Sequence, residues 1–205
     1  ALLGLNGAGK STLLSMIPAY QIPTTGTLRV FGHEFGKYAW PKIKSRLGFV
    51  SSALGQFQST LDKQVVEDVV ISGAFSSIGI YQDVSPEVRE RGMQLFYEFG
   101  LGHLEGHCFY TLSAGEQRRV LLARSIMANP DLLILDELNI VLATGMLPLE
   151  EVIDFLKKYK GKTEIITTGR SAPEELIDIA DLVTDMQEIK HYFHKGVSSR
   201  DGIDH

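Results

Sequence analysis

The chain alternates short continuous apolar runs with stretches of helical periodicity. Residues 132–135 (Leu-Leu-Ile-Leu) and the pair Ile165-Ile166 are continuous runs, as in strands buried on both faces of a parallel sheet. Between them, the segment Leu149–Tyr159 places Leu149, Val152, Ile153 and Leu156 at helical spacing. This order predicts an α/β fold with a mostly parallel sheet flanked by helices.

Further elements follow from local signals. Ser85-Pro86 predicts a helix start, because proline suits the first turn of a helix. Near the carboxyl end, Ser171 with Glu174, and Pro173 between them, predict a capped helix. The apolar pair Leu182-Val183 predicts a final strand.

Residues 4–12 carry the strongest chemical signal, a glycine-rich loop that fits G-x-x-x-x-G-K-[ST]. Such a loop cradles phosphate oxygens with backbone N–H groups, so the chain is predicted to be a P-loop NTPase that binds ATP and Mg²⁺. Lys10 is predicted to reach the β- and γ-phosphates in a catalytic role, and Ser11 to hold Mg²⁺. The predicted nucleotide-binding residues of the loop are Asn6, Gly7, Ala8, Gly9, Lys10, Ser11 and Thr12.

Two carboxylates, Asp136 and Glu137, end the apolar run at 132–135. Ligands of open α/β sheets bind at the carboxyl ends of the strands, where these acids would lie. Asp136 is predicted to hold Mg²⁺ with Ser11, and Glu137 to orient or deprotonate an attacking water. The alternative is that both acids are merely solvated at the strand end.

The segment Leu112-Ser113-Ala114-Gly115-Glu116-Gln117 precedes a helical stretch over residues 118–127. Ser113 and Glu116 have the spacing of a capping box, which would only start the helix. The other reading is that Ser113, Gly115 and Glu116 contact a nucleotide, as the resemblance below implies.

Composition limits the class of protein. At 205 residues and 44% hydrophobic content, the chain suits one domain spanning residues 1–205. A net charge of −5 gives no basis for a nucleic-acid partner. The single cysteine, Cys108, cannot form an internal disulfide, and no apolar run is long enough for membrane insertion, so a cytoplasmic location is predicted. Because only three residues precede the P-loop, Ala1 is expected to be a truncation point.

Over residues 1–137, these motifs resemble the ATP-binding-cassette (ABC) ATPases, whose signature motif is similar to the segment Leu112–Glu116. The resemblance implies a β-subdomain near residues 26–32 and an inserted helical subdomain over about 53–127, although Ser52 stands where the family has a glutamine. It also implies an ATP-dependent homodimer, in which Ser113 and Gly115 serve the partner subunit's nucleotide, and a membrane permease as partner.

Residues 134–205 resemble a different family, the P-loop cob(I)alamin/corrinoid adenosyltransferases. The segments that carry this resemblance are Leu135–Asn139, Thr168–Arg170, Ala172–Leu176, Ala180–Thr184, Lys190-His191 and Gly202–Asp204. Ala143 and Gly169 occupy the positions of the ABC loop aspartate and switch histidine. The chain therefore resembles a hybrid joined at the acidic strand, with an adenosyltransferase-like segment over about 138–205.

Three functions remain open. We favour an ABC-type ATPase with impaired hydrolysis, because no corrinoid-facing region is seen in residues 13–131. The alternatives are an adenosyltransferase that acts on a corrinoid and a non-catalytic nucleotide-binding module. Weaker candidates, for which loop or core packing is favoured, are His103, His107, Cys108, His191, His194, Arg170, Phe31, Phe35, Tyr38 and Trp40.

Overall fold

A computed structural model describes residues 1–5, 7–51, 57–187 and 196. Its main sheet has five parallel strands in the order β4-β5-β6-β1-β7. The strands of this sheet are β1 (Leu2–Gly4), β4 (Leu47–Val50), β5 (Leu132–Leu135), β6 (Glu164–Gly169) and β7 (Thr184–Met186). The predicted fold class is confirmed, with β5 buried along its whole length as its apolar run requires.

A second, two-stranded antiparallel sheet lies in the region where a β-subdomain was expected. It pairs β2 (Arg29–Val30) with β3 (His33–Glu34). Trp40 and Val30 are buried in a core cluster with Leu14 and Ile134, and Phe31 and Phe35 pack against that cluster. Core packing is thus the observed role of Trp40, Phe31 and Phe35, while Tyr38 stacks on the His33 ring at 3.8 Å between centroids.

Nine α-helices are present in the described part of the chain. They are α1 (Lys10–Met16), α2 (Trp40–Lys44), α3 (Gln58–Leu61), α4 (Val66–Ser72), α5 (Pro86–Glu98), α6 (Ala114–Ile126), α7 (Leu138–Ala143), α8 (Leu149–Tyr159) and α9 (Glu174–Ile179). Helix α5 begins at Pro86 with Ser85 as its cap, and α8 has the predicted bounds. Helices α4, α5 and α6 contribute Val69, Phe96 and Val120 to one large core, which also receives Ile153 of α8.

Two expectations near the carboxyl end are wrong. Ser171 does not cap α9; it has a left-handed backbone (φ 55°), and the helix begins after Pro173 without a side-chain cap. Leu182 and Val183 precede the last strand and are exposed (73% and 38%), because β7 begins at Thr184, which pairs with Leu2. The register of β1 therefore decides where the final strand starts.

Candidate active site

The P-loop follows β1 and leads into α1. Gly7 and Gly9 both adopt left-handed conformations, with φ of 82° and 86°, which glycine permits and which curl the loop. Apart from the residues next to each glycine in the chain, no described atom lies within 4 Å of where a β-carbon would stand, so space is open beside the loop at both positions. This shape fits the close approach of a phosphate group to backbone N–H groups.

Lys10 is the cation of this loop, and only 7% of its surface is exposed. Its Nζ donates hydrogen bonds to the carbonyl oxygens of Gly4 and Leu5, each at 2.8 Å. An ammonium group has three protons, so these two bonds leave one donor for a phosphate oxygen. The loop carbonyls therefore hold the ammonium at the mouth of the predicted phosphate cradle.

Asp136 lies at the centre of the site, and its surface is 2% exposed. Its Oδ1 accepts hydrogen bonds from Ser11 Oγ at 3.0 Å and from Thr168 Oγ1 at 2.6 Å. Its Oδ2 accepts one from Ser51 Oγ at 2.7 Å. The hydroxyls come from α1, from β6 and from the residue after β4, because the carboxyl ends of parallel strands meet at one edge of the sheet.

This arrangement fits Mg²⁺, a hard cation that prefers carboxylate and hydroxyl oxygens. Ser11 and Asp136, which were predicted to hold the metal, are already in hydrogen-bond contact although they are 125 residues apart in sequence. The sequence did not single out Ser51 and Thr168, the other two hydroxyl donors. Both follow apolar strand residues, and Thr168 also lies in the segment Thr168–Arg170 that carries the adenosyltransferase resemblance, but neither signal assigned a role to the side chain.

Glu137 has an unusual backbone for a non-glycine residue, with φ of 60°, and directly precedes α7. Its N–H donates to Thr168 Oγ1 at 3.0 Å, which fixes this turn. Within the described part of the chain, no hydrogen bond or ion pair engages its carboxylate, which is half-buried. A turn fixed by its backbone with a free carboxylate suits a group that orients or deprotonates water.

The signature-like segment forms a capping box at the start of α6. Glu116 Oε2 accepts from Ser113 N at 2.8 Å and from Ser113 Oγ at 2.6 Å, while Glu116 N donates to Ser113 Oγ at 3.4 Å. The hydrogen bonds that the Glu116 carboxylate accepts from Ser113 Oγ and Ser113 N, and a further one from His103, lower the pKa of Glu116. The structural reading of Ser113 and Glu116 is therefore confirmed, and among the described residues no hydrogen bond joins them to Lys10 or Ser11.

Gly115 lies beside a loop that follows α7. A β-carbon on Gly115 would stand 2.7 Å from the carbonyl oxygen of Met146. The backbone at Met146, from the adenosyltransferase-like part, thus packs closely on Gly115 of the ABC-like signature segment. Only glycine fits this contact without displacing the backbone of the loop.

Gly169, at the position of the switch histidine, is equally confined. Its φ is 134°, and a β-carbon would lie 2.9 Å from Asn139 Cβ. A histidine at this position would therefore require a shift of Asn139 and of α7. Ala143 is the last residue of α7 and carries no carboxylate.

The remaining sequence candidates do not form a second site. His103 Nε2 lies 3.2 Å from Glu116 Oε1, and Cys108 is a free thiol. Across residues 1–5, 7–51, 57–187 and 196, no group of three His, Cys, Asp or Glu side chains could hold a metal. Arg170 is exposed. Four candidates lie outside the described residues: Asn6, Ser52, His191 and His194.

Comparison with known protein families divides the chain into two overlapping parts. Residues 1–139 match the ABC transporter family. Residues 111–205 match the ATP:corrinoid adenosyltransferase family BtuR/CobO/CobP. The second match starts at residue 111, further upstream than the resemblance over residues 134–205, so the two matches overlap over α6 and β5.

Curated relatives support the first part. An uncharacterised ABC transporter ATP-binding protein of Bacillus subtilis, YlmA, is 44% identical over 137 residues, which are 66% of this chain and 51% of that protein. A similar protein of Lactococcus lactis, YmeB, is 33% identical over 87% of this chain and 68% of its own length. The chain thus spans from about half to two thirds of the length of these relatives.

Solved structures of ABC proteins are also similar to this chain. A dimeric ATP-binding cassette bound to ADP and phosphate is 26% identical, with a TM-score of 0.62 over 82% of this chain and 72% of that one. A putative metal-chelate type ABC transporter in an inward-facing conformation is 25% identical, with a TM-score of 0.63 over 91% of this chain and 67% of that one. In the part of the chain that the structure describes, no helix has the length and apolar character needed to cross a membrane. With its P-loop, acidic strand and signature helix in the family's order, the chain belongs to the ABC transporter family of ATP-binding proteins.

Proposed function

We propose that this chain binds Mg-ATP and hydrolyses it to ADP and phosphate as the ATP-binding subunit of an ABC-type system. The observation that carries the proposal is the contact between Ser11 and Asp136, at 3.0 Å, directly beside the buried Lys10. Phosphoryl transfer needs a cation clamp on the phosphates and a metal-holding pair, and this contact beside Lys10 supports the proposal that these residues take those two roles.

The roles of the residues follow from their positions. The Lys10 ammonium, held by two loop carbonyls, binds the β- and γ-phosphates, and the loop N–H groups of Gly7, Ala8, Gly9 and Thr12 complete the cradle. Asn6 is assigned to the same cradle by the sequence motif alone. Ser11 and Asp136 hold Mg²⁺, which neutralises charge on the phosphate oxygens when bound. The Glu137 carboxylate orients a water for attack on the γ-phosphorus and accepts its proton as the bond to the β-phosphate oxygen breaks.

The partners follow from the same family. A related cassette forms a dimer with ADP and phosphate bound. We propose that a second copy of this chain approaches so that Ser113, Gly115 and Glu116 contact the nucleotide of the first. A membrane permease is the proposed partner of that dimer, because the curated relatives are ABC transporter ATP-binding proteins.

Adenosyl transfer is a second candidate, favoured by the match of residues 111–205 to the corrinoid adenosyltransferases. In that reaction reduced cobalt attacks C5′ of ATP, a carbon–cobalt bond forms, and tripolyphosphate leaves. The third candidate, nucleotide binding without chemistry, is supported by Gly169 and Ala143, which bring neither the histidine nor the aspartate of an active cassette.

The products separate the three functions. The protein is incubated with Mg-ATP, with and without cob(I)alamin under reducing conditions, and the products are identified by chromatography. ADP and phosphate, lost in Glu137→Gln, support the ATPase. Tripolyphosphate with an adenosylated corrinoid supports the transferase, and intact ATP with measurable binding supports the non-catalytic module. An Lys10→Ala variant, purified alongside, reveals any contaminating activity because that activity would persist in it.

A further inference from the structure

Arg124, on the last turn of α6, is a buried cation without a carboxylate partner among the described residues. Its surface is 8% exposed. Its Nε donates to Ser72 Oγ at 3.3 Å and its Nη2 donates to the carbonyl oxygen of Ser77 at 2.7 Å, and both acceptors are neutral. Because a guanidinium stays protonated in proteins, the positive charge remains uncompensated.

Burying an unpaired charge is energetically unfavourable. Buried charges in proteins are normally paired or bound to a ligand, because only an opposite charge and full hydrogen bonding offset the free energy lost on removal from water. Burial lowers the pKa of Arg124, because it disfavours the charged form of the guanidinium. The electrostatic interaction with Tyr20 acts in the opposite direction. A guanidinium has five N–H donors, so the two hydrogen bonds to Ser72 and Ser77 leave further donors for an anion.

Arg124 lines a small cleft that opens to the surface. The cleft is bordered by Tyr20, Lys44, Ser76 and Ser125. The Lys44 ammonium lies 5.0 Å from the centre of the Tyr20 ring and forms no ion pair with a described residue. Two cations and three hydroxyl-bearing side chains therefore line one opening, and no acidic side chain of the described residues lines it. The Ser76 and Ser125 hydroxyls already donate to the carbonyl oxygens of Lys44 and Leu122.

The enclosed part of the cleft has room for about two water molecules before it opens to the surface. The two oxygens of a carboxylate match that space. They also suit a guanidinium, which pairs with a carboxylate through two parallel N–H···O hydrogen bonds.

We propose that this cleft is a binding site for a carboxylate, which supplies the missing counter-ion of Arg124 and is attracted by Lys44. The site is separate from the P-loop. Tyr20 follows the carboxyl end of α1, whereas Lys10 and Ser11 begin it, and the seven residues of that helix span about 10 Å. The proposal is independent of which nucleotide reaction the chain performs.

The test uses formate as the probe, in an Lys10→Ala background so that the P-loop contributes little anion binding. Formate is titrated at constant ionic strength, in a buffer free of carboxylates, and followed by ¹H–¹⁵N NMR. We expect saturable shifts at Gly48 and Ser125, which line the cleft. Lys44→Gln should weaken formate binding at least about threefold, the scale of a lost partly exposed charge interaction.

Matched control variants show whether an effect on formate binding is specific to the cleft. Lys42→Gln removes an equal charge from the same helix but outside the cleft, and should leave formate affinity unchanged. Tyr20→Phe removes one hydroxyl and should weaken binding less than Lys44→Gln. Because truncation of a buried arginine destabilises the fold, Arg124→Lys is used only where its NMR spectrum shows a folded protein, and there formate should bind more weakly.

Several results would overturn the proposal. They are the absence of saturable shifts at the cleft, equal effects of Lys44→Gln and Lys42→Gln, or phosphate binding as tightly as formate. The source of the carboxylate is tested by comparing acetate with a doubly blocked glutamate, acetyl-glutamate amide. Tighter binding of the blocked glutamate indicates a carboxylate carried by a protein segment, and tighter binding of acetate indicates a free small acid.

Discussion

Thr168 Oγ1 lies 2.6 Å from Asp136 Oδ1 and donates a hydrogen bond to it. The same hydroxyl accepts the N–H of Glu137 at 3.0 Å. Thr168 is fully buried on β6, 31 residues beyond Glu137 in sequence. A single side chain therefore positions both acids of the candidate site, and it comes from the adenosyltransferase-like part of the chain.

We expect Thr168→Val to destabilise the protein by about 1–3 kcal/mol, because it keeps the shape of the side chain but removes the buried hydrogen bond to Asp136 Oδ1 and leaves the half-buried Glu137 N–H without this acceptor. Denaturant unfolding measures the change. It should also weaken Mg²⁺-dependent ATP binding, since Asp136 loses one of the donors that orient it. Thr167→Val is the matched control: Thr167 is the neighbouring buried threonine and makes no side-chain hydrogen bond with a described residue. Equal losses in the two variants would show that Thr168 acts only through packing.

Lys10→Ala should weaken Mg-ATP binding by about 2 kcal/mol or more, the scale of a lost charge-assisted contact. Isothermal titration calorimetry of the variant and the parent measures the difference. Lys42→Ala, which removes a lysine from α2, should bind as the parent does. Unchanged affinity in Lys10→Ala would contradict the site assignment.

ATP should promote a two-fold dimer of Glu137→Gln, the variant in which hydrolysis is blocked. Light scattering with and without Mg-ATP measures the mass. The double variant Lys10→Ala/Glu137→Gln should stay monomeric, because it lacks the cation of the P-loop. If the mass of Glu137→Gln does not respond to ATP, then Ser113 and Glu116 serve only as the capping box that starts α6.

ATP hydrolysis should be slow even though the protein binds ATP. The loss of one positioned contact to developing charge commonly costs about 10²-fold in rate, and both the histidine and the aspartate of an active cassette are replaced. We therefore expect turnover well below about 1 s⁻¹, the low end of ordinary enzymes. A steady-state phosphate-release assay measures it. Brisk turnover that Glu137→Gln abolishes would show that Gly169 and Ala143 do not limit the reaction.

Gly169→Ala should cost at least about 1 kcal/mol more stability than Gly145→Ala. Both glycines have positive φ (134° and 68°), so both substitutions strain the backbone. At Gly169 the new β-carbon would also collide with Asn139 Cβ at 2.9 Å, whereas at Gly145 no described atom beyond its chain neighbours lies within 4 Å. Denaturant unfolding of the two variants measures the difference. Equal losses of stability would show that α7 can shift to accommodate the new β-carbon.

The sequence by itself determined the fold class, the P-loop, the acidic strand and the capping box. Each of these is a local signal: a fixed glycine and lysine spacing, a continuous apolar run, or a serine three residues before a glutamate. The bounds of α8 and the start of α5 were likewise predictable, because helical periodicity and a Ser-Pro pair act over a few residues.

Only the tertiary structure decided which side chains complete the site. Ser51 and Thr168 reach Asp136 because β4, β5 and β6 are adjacent in the sheet. The order of the strands cannot be predicted from any local sequence pattern. The confinement of Gly169 by Asn139, and of Gly115 by Met146, depends on where α7 and its following loop pack. The uncompensated charge of Arg124 appears for the same reason, since burial is a property of the packed chain and not of an arginine in a helical segment.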